Sequence, residues 1–526
     1  MKNKLWVWLL IMISLFIQCK THYEYNFTRK NIYWGDIHNH CNVGYAQGSL
    51  ERAYDIAKSH LDFYCFTPHS QWHDKPESSN FNKFTEGFKI TRQNWDKIKR
   101  YANESYKPGE FVSLIGYEWH SGMYGDVCII MPGHEGELVY LDDIKGLQQF
   151  ARENNAVLIP HHPAYQQGWR GQDWSFLGPV DVSPVVEVFS EHGNAESDRA
   201  PFPYIRHSMG GRYTKNTIQY LWELGHQVGI VASSDDHLGY PGAYGEGLMA
   251  VYADTLTREA IMDAIKARRT YAVSADRIEL DFRLNGHWMG ETLPAVSERN
   301  ILVRVKGQDV IDRVEVLRNN KVIYRNHPID ENTGRSSWDK PILCRIEFGW
   351  GPWDFFNLER VTDWEFDIHI TNGKIISATP CFQSGPYDEN RRNKINRLDD
   401  HFCQFTSYTS RMQAYEERAT NSIILEIQGA EQTELTLSIS QPSNIEYRQT
   451  LGDLAASSDI IFTGDFPSES IMLHRIVFYE NYQTAFEFID QHAAETTDWY
   501  YVRVTQTNGS LAWSSPIWVE PNNPQQ

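Results

Sequence analysis

The chain has 526 residues, of which 41% are hydrophobic and 22% are charged, and its formal net charge is −19. This composition supplies enough apolar side chains for several buried cores, which excludes a disordered chain and favours two to four domains. The excess of acidic residues argues against a broad nucleic-acid-binding surface, so no nucleic acid partner is expected.

The N-terminus has the pattern of an export signal. Lys2 and Lys4 precede an apolar run at residues 5–17 that is too short to cross a bilayer as a mature helix. Cys19 follows in the manner of a bacterial lipoprotein processing site, so residues 1–19 are predicted to be a signal peptide of lipoprotein type. The expected location is the periplasm or the outer membrane of a bacterium, with a lipid on Cys19 as the membrane anchor. Plain secretion and an uncleaved anchor are the alternatives.

Between residues 30 and 275, short apolar runs alternate with amphipathic segments. A first run ends near Asp36, and later runs predict strands at residues 61–66, 111–115, 156–159, 185–189 and 228–232. Apolar residues share one helical face in segments that begin near Leu50, Ile144 and Ile218. The alternation predicts an α/β domain with a parallel sheet or barrel.

Side chains that bind metal ions follow the predicted strands. His38 and His40 are two residues apart and therefore share one face of an extended chain. The later strands are followed, in chain order, by His69, Glu118, His161, His162, His192, Asp235 and His237. In a parallel α/β barrel such strand ends converge on one mouth. Imidazoles combined with carboxylates suit zinc, manganese or iron and permit two or three ions close together.

The order of these segments resembles the motifs of the PHP (polymerase and histidinol phosphatase) superfamily. The residues that carry the resemblance are 35–40 (GDIHNH), 67–70 (TPHS), 116–118 (GYE), 159–163 (IPHHP) and 234–237 (SDDH). Residues 187–196 (EVFSEHGNAE) and the helix predicted from 257 to 272 are similar to a secreted branch of that superfamily. The resemblance covers about half of the chain.

The resemblance implies a distorted (β/α)7 barrel that holds up to three metal ions. It implies that Glu118 bridges from the first ion to a second, which is also held by His161 or His162. The proline–histidine pattern of the secreted branch favours His161, and the histidine–proline pattern of the wider family favours His162. The implied ligands of the first ion are His38, His40, Glu118 and Asp235.

Besides Pro68, which stands where the family has an aspartate before the histidine, the chain departs from the family pattern at two places. The acid or histidine expected shortly after His40 is missing, and Cys41 at that point fits better as a small buried residue. Asp126 stands where a histidine is common, and it fits equally well as an oxygen ligand or as a surface turn residue. The first departure bears on a third ion, which the resemblance places at His69 and His237.

A site of this kind predicts hydrolysis, above all of a phosphoric ester, by a metal-activated water. His192 or His69 would protonate the leaving group. The expected substrate is a small-molecule or glycan-linked ester, and its anion would be bound by arginines, although a solvated loop position is the commoner explanation for each of them. The candidate arginines are Arg170, Arg206 and Arg212. A structural role is expected for His120, His207 and His226.

Two other functions stay open from the sequence. The chain could be a metal-dependent carboxylic ester or amide hydrolase, which acts on an uncharged carbonyl. It could also be a non-catalytic carbohydrate-binding or scaffold lipoprotein, because a fold does not guarantee an activity. Retention of His38, His40, Glu118, Asp235 and His237 argues against the non-catalytic alternative.

Beyond residue 276 apolar and polar residues alternate between polar turns. Residues 278–284, 300–305, 313–317 and 321–324 are predicted antiparallel strands, and similar runs continue to residues 499–504. The predicted organisation is therefore a signal peptide at 1–19, a PHP-like metal-dependent hydrolase domain at 30–275, and an antiparallel β-sandwich region of one or two modules at 276–522.

Overall fold

The computed structural model describes residues 30–200, 212–332, 334, 336–352, 356, 358–411, 419–493 and 495–521. The predicted signal peptide with Cys19 lies outside these residues, as do Arg206 and His207. Within the described ranges, no helix is long and apolar enough to cross a membrane.

Up to residue 273 strands alternate with helices, as the sequence predicts. The strands are β1 (Asn31–Asp36), β2 (Phe63–Phe66), β3 (His69–Trp72), β4 (Val112–His120), β5 (Val127–Met131), β6 (Val157–Pro160), β7 (Val185–Ser190), β8 (Gly193–Asn194), β9 (Gly229–Ala232), β10 (Leu248–Ala253) and β11 (Thr270–Val273). The helices are α1 (Leu50–His60), α2 (Asn82–Gln93), α3 (Trp95–Ser105), α4 (Ile144–Glu153), α5 (Ile218–Glu223) and α6 (Arg258–Lys266). Ser49, Asp143 and Thr257 begin α1, α4 and α6, because each side chain accepts a hydrogen bond from a backbone N–H of the first turn.

After residue 278 the chain consists mainly of strands, as the alternating pattern predicts. The strands are β12 (Glu279–Leu284), β13 (His287–Trp288), β14 (Thr292–Leu293), β15 (Glu298–Lys306), β16 (Ile311–Arg318), β17 (Lys321–Asn326), β18 (Ile342–Gly349), β19 (Val361–Thr371), β20 (Lys374–Cys381), β21 (Lys394–Leu398), β22 (Phe402–Ser410), β23 (Thr420–Gln428), β24 (Glu434–Gln441), β25 (Ile445–Thr450), β26 (Asp459–Phe462), β27 (Ser470–Leu473), β28 (Gln483–Gln491), β29 (Asp498–Gln506), β30 (Leu511–Ser514) and β31 (Ile517–Val519). Short helices are α7 (Pro328–Glu331), α8 (Leu451–Ala456) and α9 (Tyr479–Tyr482).

The strands of the first part do not form the expected closed seven-stranded barrel. β1, β2 and β4 are parallel neighbours, but β5 and β10 run antiparallel to β4 and β1. β7 and β9 pair in a separate small sheet with β8. Among the described strands the hydrogen-bonded ladders therefore stay open, because β11 pairs with β30 from the far end of the chain. The fold is mixed α/β, rich in strands and built from several sheets.

Backbone hydrogen bonds join the two sheets at the carboxyl ends of their strands. The N–H of Asp235, after β9, donates to the carbonyl of His38, after β1, at 2.8 Å. The N–H of His40 donates to the carbonyl of Asp236 at 2.9 Å. These bonds bring two predicted ligand segments side by side, although 195 residues separate His40 from Asp235 along the chain.

The strands after residue 278 form two β-sandwiches, each made of two packed layers. β12, β13, β15 and β28 make one sheet, and its side chains share a buried core with β16 and β29, for example Leu280 with Val502. Two five-stranded sheets lie between β17 and β28 in sequence and pack against each other through Phe348 and Trp364. One β-sandwich is thus inserted into the chain of another.

The C-terminal strands also anchor the loop that follows β8. The buried carboxylate of Glu196 accepts hydrogen bonds from the Tyr501 hydroxyl at 2.8 Å, from Arg503 Nη1 at 2.9 Å and from Trp513 Nε1 at 2.9 Å. Because β30 extends the sheet beyond β11, hydrogen bonding crosses the predicted boundary between residues 275 and 276.

A buried ion pair connects the segment after β11 with the inserted sandwich. Arg345 Nη2 donates to both carboxylate oxygens of Asp276, at 2.9 and 3.1 Å, and Tyr244, Gln506 and Asn508 also donate to this carboxylate. Burial alone raises the pKa of Asp276, but Arg345 and the other donors hold it below its ordinary value.

Replacing Arg345 with methionine is expected to lower the free energy of unfolding by about 3 kcal/mol at neutral pH, because Asp276 then carries a buried charge without its cation. The folded-state pKa of Asp276 is depressed, so the stabilisation is present above the unfolded pKa of about 3.9 and is lost as the pH falls through the folded pKa. Urea unfolding of both proteins at several pH values measures this difference. The control, Lys374→Met, breaks an exposed pair with Asp400 and should leave the midpoint nearly unchanged. Equal effects of the two changes would contradict the prediction.

Candidate metal centre

Four buried side chains from three strand ends surround one point. They are His38, His40, Glu118 and Asp235. Asp235 Oδ1 lies 3.2 Å from His38 Nε2 and 2.8 Å from His40 Nε2, and these two nitrogens are 3.2 Å apart. Glu118 Oε2 lies 3.7 Å from each of the same nitrogens. Ligand atoms around a tetrahedral zinc ion are about 3.3 Å apart, so this spacing fits one ion. These four residues are the set that the resemblance implies for the first ion.

The other oxygen of Asp235 contacts a second group of imidazoles. Asp235 Oδ2 lies 3.2 Å from His161 Nε2 and 2.9 Å from His192 Nε2. His161, His162 and His192 each place a ring nitrogen within 4.8 Å of the other two, as a shared ion requires. The carboxylate that touches both groups is therefore Asp235, whereas the resemblance implies Glu118 in the bridging position.

Glu118 instead faces a third side of the cluster. Its Oε2 lies 2.7 Å from His69 Nδ1 and 3.4 Å from His120 Nε2. His69 is also grouped with His40 and His237, whose ring nitrogens lie within 4.8 Å of one another. His120 thus lies among the candidate ligands, although the sequence favours a structural role for it.

Glu187 orients two of the imidazoles by contacting the ring nitrogen that faces away from the cluster. Its Oε1 lies 2.6 Å from His161 Nδ1 and its Oε2 lies 3.2 Å from His38 Nδ1. With Nδ1 engaged, both rings present Nε2 to Asp235, which is the arrangement in which a second carboxylate orients metal-binding histidines. Sequence reasoning did not assign Glu187 to the site. The available signal was a lone charged residue inside the apolar strand β7.

Asp126 is fully buried, which excludes the surface-turn interpretation. Its Oδ2 lies 2.9 Å from His120 Nδ1 and 3.3 Å from His162 Nε2, and it accepts a hydrogen bond from Arg170 Nε at 2.7 Å. Arg170 is therefore held by an internal ion pair. Arg212 is also held internally, because it donates to two backbone carbonyl groups, at residues 197 and 200.

The imidazoles of the cluster fall into two sets. Burial acts to lower the pKa of His161 and of His237, but facing carboxylates raise both to about 9, and the pKa of His38 is also raised. Burial lowers the pKa of His40 to about 4, and it holds the pKa of His69 and of His162 well below the ordinary value. Neutral imidazole is the form that binds metal ions. Burial acts to raise the pKa of Glu118 and of Asp235, but the surrounding imidazoles hold both pKa values well below the ordinary range, so the carboxylates are ionised.

Several buried ring nitrogens have no hydrogen-bond partner among the described residues. They include His69 Nε2 and His162 Nδ1. A buried polar atom without a partner is costly in a protein interior and calls for an explanation, such as an ion at the same place. The donor set of imidazoles and carboxylates therefore fits divalent zinc, manganese or iron.

The two predicted proton donors both lie inside the cluster. His192 Nδ1 is 2.5 Å from the Tyr165 hydroxyl while its Nε2 faces Asp235, and burial lowers its pKa. His69 is bonded to Glu118 in the same manner. Neutral, buried imidazoles of this kind are better placed to bind an ion than to donate a proton at neutral pH.

Comparison with known proteins gives matches over parts of the chain. A family model described as a protein of unknown function, DUF3604, matches residues 53–128 and 240–293. An uncharacterized protein of Chlamydia pneumoniae is 28% identical over 40% of this chain and 36% of its own length. An uncharacterized protein of Chlamydia trachomatis is 28% identical over 58% of this chain and 50% of its own length. The chain spans half or less of the length of these two relatives.

Among solved structures, a two-domain protein from Bacteroides vulgatus matches with a TM-score of 0.31 and 11% identity. The match covers 81% of this chain and 97% of the other. That protein is described as containing a predicted PHP-like metal-dependent phosphoesterase.

Proposed function

We propose that this chain is a metal-dependent hydrolase, and specifically a phosphoesterase with two or three divalent ions. The observation that carries the proposal is the position of Asp235, whose two oxygens lie between the His38/His40 pair and the His161/His192 pair. Imidazoles on both sides of one carboxylate could hold two cations close together, as the sites of two-metal hydrolases do. The order of the ligand motifs, which resembles that of the PHP superfamily, supports the same reaction class.

Neighbouring residues of the protein would position the metal-binding imidazoles. Divalent ions bound in this cluster would activate water and polarise a phosphoryl oxygen. Glu187 holds the rings of His38 and His161 so that both Nε2 atoms face the cluster. Tyr165 does the same for His192 by occupying its Nδ1. A site prepared in this way would require little rearrangement when substrate arrives.

The substrate in this proposal is a small-molecule or glycan-linked phosphoric ester. The way in from solvent would be beside His237, whose side chain is 29% exposed while the other ligands are nearly inaccessible. Export through the predicted signal peptide, with or without a lipid on Cys19, would place the activity outside the cytoplasm.

Replacing His38 with alanine is expected to remove bound metal and hydrolysis together while the circular dichroism spectrum stays unchanged. The imidazole contacts Asp235, His40 and Glu187 at the centre of the cluster, so its loss opens the first group of ligands. Metal content measured by mass spectrometry, and hydrolysis of p-nitrophenyl phosphate and bis-p-nitrophenyl phosphate, test the expectation.

His401→Ala is the matched control, because His401 is exposed on the β-sandwich region. It should keep both metal and activity. Cleavage of p-nitrophenyl acetate alone would support the carboxylic ester alternative. A folded wild-type protein that binds no transition metal would contradict the proposal and favour the scaffold alternative.

A further inference from the structure

His40, His69 and His237 form a third group of imidazoles. In two of them, His237 and His69, Nδ1 is engaged by a neighbouring oxygen. His237 Nδ1 lies 2.7 Å from the carbonyl oxygen of Asp235, and His69 Nδ1 lies 2.7 Å from Glu118 Oε2. Each Nδ1 therefore faces a hydrogen-bond acceptor, and each Nε2 lies on another side of its ring. His69 Nε2 is buried and without a hydrogen-bond partner.

A phenol oxygen lies close to one of these two nitrogens. The Tyr45 hydroxyl is 3.4 Å from His237 Nε2, a spacing within the range seen between the ligand atoms of the first group. The Tyr45 ring stacks on His69, with the ring centres 4.0 Å apart and the planes at 24°. The hydroxyl thus lies beside His237 while the ring covers His69.

The loop that carries Tyr45 is held against the same segment as His237. The N–H of Gln47 donates to the carbonyl of His237 at 2.9 Å. On the other side, helix α2 approaches so closely that a side chain at Gly87 would come within 3.0 Å of the Tyr45 Cβ. Phe84 of the same helix packs edge-on against the Tyr45 ring at 4.7 Å. The position of Tyr45 is therefore set by backbone contacts on two sides.

We infer that Tyr45 supplies an oxygen ligand to an ion held by His69 and His237. This inference rests on the proposed function, because it presumes that the cluster holds metal. It assigns an oxygen donor to the loop that follows His40. The hydroxyl proton would pass to solvent when the oxygen binds the ion, and no other bond changes.

Tyr45→Phe removes only the hydroxyl, so it tests this contact with little effect on packing. The purified variant is expected to bind one equivalent of metal fewer per chain than wild type under the same loading conditions. Wild-type protein loaded with ferric iron is expected to show a visible tyrosinate-to-iron charge-transfer band, which Tyr45→Phe should lose. Tyr140→Phe is the control, because its ring is 43% exposed and lies apart from the cluster.

Several results would overturn the assignment. One is a ferric wild-type protein without the band, which decides the matter even if the variant fails to fold. Another is a Tyr45→Phe variant that keeps the full metal content or the band. If the wild type still hydrolyses a phosphoester in these cases, only the Tyr45 assignment fails. A wild-type protein without any bound metal would overturn both this assignment and the proposed function.

Discussion

Replacing Asp235 with asparagine is expected to abolish hydrolysis and to weaken metal binding by more than about 100-fold, the upper range for loss of a supporting residue around a metal site. The reason is that the two oxygens of Asp235 face two different groups of imidazoles. An amide offers one neutral oxygen and turns its NH2 group toward the other imidazoles, so one side loses its ligand and both sides lose the negative charge.

Asparagine is a sharper test than alanine at this position. Asp235 has a φ of 56°, in the left-handed region that asparagine and aspartate adopt more readily than other residues with a side chain. The backbone should therefore stay in place. Metal titration by calorimetry, together with phosphoester hydrolysis, measures the effect.

Asp400→Asn provides the comparison for Asp235→Asn, because Asp400 is exposed and paired only with Lys374 among the described contacts. It should behave as wild type. If Asp235→Asn kept wild-type metal affinity, the place of Asp235 between two ions would be wrong.

Replacing Glu187 with glutamine is expected to lower metal affinity by roughly 10–100-fold, the effect typical of residues that orient metal ligands. Glutamine still reaches His38 and His161, but it has one carbonyl oxygen where Glu187 has two acceptors, so one of the two Nδ1 protons loses its partner. Activity should fall at limiting metal and recover when metal is in excess. This recovery distinguishes an orienting residue from a ligand.

Glu347→Gln is the matched control for Glu187→Gln. Glu347 also accepts a hydrogen bond from a histidine, since His474 Nε2 lies 2.8 Å away, but this pair is in the inserted sandwich. The control should leave the metal titration unchanged. A Glu187→Gln variant with unchanged affinity, or one whose activity does not recover with added metal, would contradict the orienting role.

Much of the ligand set was predictable from local sequence. His38 and His40 are two residues apart after an extended segment, and such spacing puts both rings on one face whatever the rest of the fold does. The strands at residues 185–189 and 228–232 are confirmed as β7 and β9 with small shifts at their ends. The roles of these ligands toward metal stay predictions until they are measured.

The partners of each ligand were not predictable, because they depend on which strand ends meet. Glu187 and Asp126 have the residue types of surface positions, and only their burial beside His161 and His120 gives them a place in the cluster. Arg170 was a candidate for binding an anion, with a solvated loop position as the commoner explanation, but its guanidinium pairs with the buried Asp126. Side-chain contacts of this kind, which join residues 6, 26 and 44 positions apart, leave no periodic signal in the chain.

The continuation of the sheet from β11 to β30 shows the same limit at a larger scale. Alternating strands and helices predicted an α/β fold, and the alternating pattern beyond residue 276 predicted β-sandwiches. The sequence by itself thus determined the identity and order of the candidate ligands and the type of each element, because these depend on side-chain chemistry and local periodicity. Only the tertiary structure decided that β30 occupies the edge of β11, that Asp235 lies between two imidazole groups, and that Tyr45 covers His69, since hydrogen bonds and packing across the whole chain select those neighbours.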